Sequence, residues 1–150
     1  MSKIIGIDPG VHTGLAVWDT EIHGFSLVET MNIVAAMDAV QQIANGGEDV
    51  VLVAEDARQR IWIPREKSIS EYRGKMMGAG SVKRDSQIWE EFAKYNILPL
   101  ILVPPRNNRT KLKAEPFRKL TGWTGRTTEH SRDAAMLVFG RTNNPSTPTP

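Results

Sequence analysis

The run Val50-Val51-Leu52-Val53-Ala54 constrains this chain more than any other stretch. Five consecutive apolar residues leave no polar face, so a strand formed there has to be covered on both sides. That requirement predicts an α/β domain with this strand near the centre of its sheet. The neighbouring patterns supply the partners. Ile4-Ile5-Gly6-Ile7 is a short β-branched strand stopped by Pro9-Gly10, Leu15-Ala16-Val17-Trp18 follows within hairpin distance, and Phe25 to Thr30 is entered through Gly24. From Asn32 the period changes: Ile33, Ala36, Met37, Val40 and Ile43 share one helical face, closed by Asn45-Gly46-Gly47. Residues 57–65 read as a loop ending at Pro64. A long helical stretch runs from about Glu66 to Tyr95, and Gly74, Gly78 and Gly80 predict two segments or a kink in it. Leu98 to Val103 is the last strand. Lys111 to Leu120 reads as a helix with its start blurred by Pro116, and Thr127 or Thr128 caps a final helix to about Phe139. The order β-β-β-α-β-α-β-α-α predicts a mixed five-stranded sheet flanked by helices.

A chain of 150 residues suffices for one domain with a real core. Residues 1–140 carry the pattern; residues 141–150, with three prolines among Asn, Ser and Thr, read as a disordered tail. Cysteine is absent, which excludes a disulfide framework, a thiolate metal site and a cysteine nucleophile, and fits a reducing compartment. No apolar run approaches the roughly 18 residues of a membrane span, and Met1 to Gly6 leads straight into a strand without a signal-peptide core. A cytoplasmic protein with no membrane partner is therefore expected.

The net charge of +2 conceals a division. Residues 1–57 hold one base and nine acids, a net −8, whereas residues 58–132 hold 17 bases and seven acids, a net +10. Helices that happen to carry more Lys and Arg would explain part of this. A polyanion-binding face beside a carboxylate cluster explains all of it.

Asp8 ends the first strand and Glu55 ends the buried one. If those strands are neighbours, both carboxylates emerge at the same edge of the sheet. Asp133 lies on the last helix with His130 three residues earlier on the same face. Three carboxylates and an imidazole from distant points of the chain could then converge, a donor set suited to Mg²⁺ or Mn²⁺. Two such ions about 4 Å apart activate water and stabilise the leaving oxygen of a phosphodiester. Plain structural roles stay open for each residue. Asp8 could start the Pro-Gly turn, Glu55 could pair with Arg58 or Arg60, Asp133 could pair with Arg132 or Arg126, and His130 could be an ordinary first-turn residue.

These residues resemble a family. Ile5-Gly6-Ile7-Asp8-Pro9-Gly10 with Thr13-Gly14-Leu15-Ala16 resembles the opening motif of RuvC-type Holliday-junction resolvases. Val51 to Glu55 is similar to their second acidic strand, His130-Ser131-Arg132-Asp133-Ala134-Ala135 to their C-terminal acidic helix, and Gly78 to Val82 to a small-residue helix start. The likeness spans about residues 3–140, and its small size suits a phage or prophage variant. It implies an RNase H-like fold, a homodimer, and Mg²⁺- or Mn²⁺-dependent cleavage of four-way DNA junctions with two ions per site. By the same likeness Asp8, Glu55, His130 and Asp133 are the catalytic and metal-binding residues. The chain departs from the pattern three residues after the second acid, where Arg58 replaces the usual aromatic. Arg58, Arg60 and Trp62 are candidates to stack on bases there, with packing of Trp62 beside Ile61 and Ile63 the alternative.

Arg106, Arg109, Lys111, Lys113, Arg118, Lys119 and Arg126 follow the last strand and are candidate phosphate contacts; the family resemblance implies that Lys111 or Lys113 reaches the scissile phosphate. Trp123 either packs or lies near the site. Two symmetric cuts need two sites, which a two-fold dimer supplies. Met76, Met77, Ile88, Trp89 and Phe92 are the candidate interface, or else core of the monomer. Other enzyme classes remain as alternatives: an RNase H-like nuclease acting on RNA or other branched DNA, or a non-catalytic junction binder. An actin-like or sugar-kinase-like ATPase needs two such domains, for which the chain is too short.

Overall fold

In the computed structural model, residues 2–59, 69–105 and 111–142 are described, with the backbone alone for 69–79. The elements follow the expected order: β1 Ser2–Asp8, β2 Thr13–Asp19, β3 Gly24–Met31, α1 Ile33–Ala44, β4 Asp49–Glu55, a 3₁₀ turn Ala57–Gln59, α2 Ile69–Tyr95, β5 Leu100–Val103, α3 Ala114–Thr121 and α4 Glu129–Val138. The strands form one mixed sheet in the order β3-β2-β1-β4-β5. β1, β2 and β3 are an antiparallel meander, while β1, β4 and β5 run parallel. The apolar run is thus an inner strand with neighbours on both sides, as its composition requires.

Alternation along the strands divides the core between the two faces of the sheet. Ile5, Ile7, Leu15, Val17, Leu52 and Ala54 face α1 and the C-terminal half of α2, whose Trp89 is fully buried. Ile4, Ala16, Trp18 and Val53 face α4 and Phe117 of α3. α1 starts where the Asn32 side chain accepts from the Ala35 amide at 2.8 Å, satisfying one orphan donor of its first turn.

Two helix expectations change, and a third is resolved between its alternatives. α2 is one helix from Ile69 to Tyr95, not two segments; residues 66–68 lie outside those described. Each glycine costs only about 1 kcal/mol in a helix, and burial of Ser86, Trp89 and Ala93 anchors the C-terminal half. α3 begins at Ala114, so Pro116 falls in its first turn, where the missing N–H has no intrahelical acceptor anyway. The cap of α4 is Thr128: it accepts from the Ser131 amide at 3.3 Å and Ser131 Oγ returns a bond from the Thr128 amide at 2.9 Å. The last strand is also shorter than expected, starting at Leu100. Trp89, a candidate for a dimer interface, is core of the monomer, with Phe92 packed edge-on against it. The side chains of Met76 and Met77 and the tail from 143 lie outside the described residues. No helix among the described residues is long and apolar enough to cross a membrane.

Candidate functional site

Parallel pairing of β1 with β4 places Ile7 opposite Ala54, so Asp8 and Glu55, one residue further on, leave the same edge of the sheet side by side. α4 crosses this edge unusually close to the strands. A Cβ on Gly6 would lie 2.1 Å from the Ala134 carbonyl oxygen, and one on Gly14 would lie 2.0 Å from that of His130. Only glycine permits this approach, because the helix backbone occupies the volume of the missing side chains. The first turn of α4 is thereby seated over Asp8.

The seating brings His130 Nδ1 to 3.1 Å from Asp8 Oδ2, a shared hydrogen bond. His12, in the turn between β1 and β2, stands beside it with ring centroids 6.2 Å apart. Asp133, one turn along α4, is mostly buried, and its Oδ2 lies 3.0 Å from Lys111 Nζ. Asp133 is therefore paired neither with Arg132 nor with Arg126. Arg132 turns away to the Leu112 carbonyl at 3.0 Å and the Thr127 hydroxyl at 2.9 Å, tying the segment that carries Lys111 to α4.

The electrostatics follow from this crowding. Burial pushes the Asp8 carboxyl up to about 7; the His130 hydrogen bond opposes the rise, and the fields of Glu55 and Asp133 add to it. Burial works against the charge on Lys111, but its bond to Asp133 and the fields of Asp133, Glu55 and Asp8 outweigh that and hold its pKa above the usual lysine range. Lys111 is thus the cation of the cluster, and the sequence alone did not distinguish it from Lys113, which occupies the position before α3.

The donor set is three carboxylates and one imidazole, and their mutual repulsion is what a hard divalent cation would relieve. The chemistry of the set fits Mg²⁺ or Mn²⁺. The arrangement as it stands does not close around an ion: among the described residues no group of three or more His, Cys, Asp or Glu side chains is placed to hold one. The Lys111 ammonium stands in for a cation instead.

The remaining candidates are dispersed. Arg58 is held by Asp56 at 2.8 Å and by Glu90 at 2.5 Å, so it does not pair with Glu55, and its guanidinium is neutralised within the fold. The buried Asp56 in turn anchors the chain just beyond Glu55, accepting from the Arg58 amide while its own amide donates to the Val103 carbonyl. Ser86 Oγ bonds the Glu55 carbonyl at 3.4 Å from the α2 side. Lys113, Arg118, Lys119 and Arg126 are exposed around α3 and the following loop, and Trp123 packs beside Phe117. Arg60, Trp62, Arg106 and Arg109 lie outside the described residues. No family model matches the chain, and no curated protein matches it.

Gly6, Gly14, Arg132 and His12 were not singled out by their chemistry. The signal for the first two was present, since glycine inside an apolar strand marks a bulge or a close backbone approach. For Arg132 and His12 there was none.

Proposed function

We propose that the protein is a divalent-metal-dependent endonuclease of RNase H-like fold that acts as a homodimer and resolves four-way DNA junctions by paired nicks. The observation that carries this reading is the meeting of Asp8, Glu55, His130 and Asp133, from three distant segments of the chain, at one edge of the mixed sheet. In the resemblance to RuvC-type resolvases, these same four residues form the metal site. The net +10 of residues 58–132 supplies the phosphate-binding charge.

Asp8, Glu55, Asp133 and His130 are the residues that would hold Mg²⁺ or Mn²⁺, one ion or two. When bound, the metal supplies a water acidified toward neutrality and a Lewis acid for the phosphodiester oxygens. The protein's own groups do the rest. His130, bonded to Asp8, is placed to take or return a proton. Lys111 is held by Asp133 at the mouth of the cluster, where its ammonium can meet a phosphate oxygen. Asp8, with its carboxyl pushed up to about 7, holds its proton part of the time near neutral pH, and a bound cation would favour its charged form.

A second reading, a junction-binding protein without catalysis, is favoured by one observation: the described carboxylates do not form a ready metal cage, and Lys111 already neutralises Asp133. The test separates the two. The purified protein is mixed with a synthetic four-way junction, a matched linear duplex and an RNA–DNA hybrid, in Mg²⁺ or in EDTA. Paired nicks in opposite junction strands, dependent on metal and lost in Asp8→Asn and Glu55→Gln with binding retained, are expected. Binding without nicks in Mg²⁺ would establish the second reading, and equal cutting of the linear duplex would remove the junction assignment.

A further inference from the structure

The C-terminal end of α3 and the loop into α4 enclose a pocket of about 340 Å³, within the size range of small-ligand sites. It lies between the two segments that carry cluster residues, with Lys111 before α3 and His130 in α4. Phe117, fully buried, lines it from within. Trp123 forms another part of the wall, and its indole Nε1 is buried with no acceptor among the described residues. Gly125 lies against this indole: a Cβ there would lie 2.9 Å from Nε1.

The charge around the pocket is one-sided. Residues 111–128 hold five bases and one acid, Glu115. That acid is paired with Lys119 at 3.7 Å. Arg118 and Arg126 line the pocket, both exposed, and neither has a carboxylate partner among the described residues. Two guanidiniums with uncompensated charge therefore stand beside an aromatic wall of Phe117 and Trp123. Planar guanidinium groups match phosphate oxygens, and aromatic walls match the face of a base.

We infer that this pocket holds one unpaired nucleotide of a DNA strand, with its phosphate between Arg118 and Arg126 and its base against Trp123. A base inside a duplex is stacked and paired and cannot enter such a space, so the ligand is a nucleotide already released from the stack, as at a branch point. The inference rests on the nucleic-acid reading proposed above and gives it a second contact, separate from the carboxylates.

The test uses the full chain in EDTA, where no cleavage occurs. The four tryptophans give four indole N–H signals in a ¹H–¹⁵N spectrum, and Trp123→Phe identifies the one that matters. Thymidine 5′-monophosphate should move the Trp123 signal and leave those of Trp18 and Trp89 in place. Arg118→Gln and Arg126→Gln should each weaken binding about tenfold, the loss of one charge-assisted hydrogen bond. Gly125→Val should crowd the Trp123 ring and weaken binding, with a thermal melt confirming that the variant is folded. Thymidine without phosphate should bind at least about tenfold more weakly on the same grounds. A Trp123 signal that stays fixed, or that moves equally with inorganic phosphate, overturns the inference. Junction cleavage is assayed separately in Mg²⁺. Cleavage with a fixed Trp123 signal sinks the pocket alone, whereas a responsive pocket without cleavage sinks only the nuclease reading.

Discussion

The two faces of the sheet are packed in different ways. On one, α1 and α2 meet the strands through side chains, with Ile5, Ile7, Leu52 and Val40 gathered in one core with Trp89. On the other, α4 meets β1 and β2 partly through its own backbone, with Gly6 and Gly14 opposite the carbonyls of Ala134 and His130. Apolar side chains can be exchanged for others of similar volume at small cost. A backbone has no rotamer to change, so the height and register of α4 over the strands are fixed. α4 is also the helix that carries His130 and Asp133. The rigid face bears the candidate chemistry, and the adaptable face supports it.

The most direct way to break this contrast is Gly14→Val. It forces a branched side chain into the His130 carbonyl, and a loss of about 5 kcal/mol or displacement of α4 is expected. Denaturant melts report the first outcome, and loss of the shared His130–Asp8 hydrogen bond, followed by the His130 ring signals in NMR, reports the second. A variant as stable as the parent, with His130 undisturbed, would show that the close approach is unimportant.

The next effect is a pH dependence confined to the α4 face. The folded-state pKa of Asp8 is about 7, above its ordinary value of 3.8, so the fold binds this proton more tightly than the unfolded chain does. Stability from Asp8 is complete below pH ~4 and is lost as pH rises through about 7, by up to about 4 kcal/mol. Asp8→Asn should abolish that fall and melt higher than the parent at pH 8. Mg²⁺ should restore part of the loss in the parent and none in Asp8→Asn, raising the melting temperature by a few degrees. A parent that melts no differently with Mg²⁺ at pH 8 would count against the metal reading.

Two smaller effects sharpen the comparison from either side. Lys111→Met removes the partner of Asp133 at a half-exposed position and should cost about 1 kcal/mol of stability, while reducing junction cleavage far more than that figure implies. On the opposite face, Leu52→Val should also cost about 1 kcal/mol and leave cleavage unchanged. If Leu52→Val impaired cleavage as much as Lys111→Met, the division of labour between the faces would be false.

Much of the fold was legible because its signals are local. The period change at Asn32, the apolar run ending at Glu55 and the threonine cap of α4 each act over a few residues, and the element order followed from them. The continuity of α2 was not legible, since its glycines argue for a break and only burial of Ser86, Trp89 and Ala93 outweighs them. The candidate site was legible in part. Asp8 and Glu55 were placed at strand ends, and the parallel pairing of β1 with β4 makes them neighbours. The pairing of Asp133 with Lys111, and the capture of Arg58 by Asp56 and Glu90 away from Glu55, depend on which charges meet across elements.

The sequence by itself determined the central buried strand, the meander before it, the division of charge and the residue types able to bind a hard cation, because composition and periodicity carry that information. Only the tertiary structure decided which base enters the carboxylate cluster, that Arg58 is paired with Asp56 and Glu90, and that two strand glycines admit a helix. Coulomb energy and steric exclusion depend on distance in space, and residues 8, 55, 111, 130 and 133 have no fixed distances until the sheet and α4 are in place.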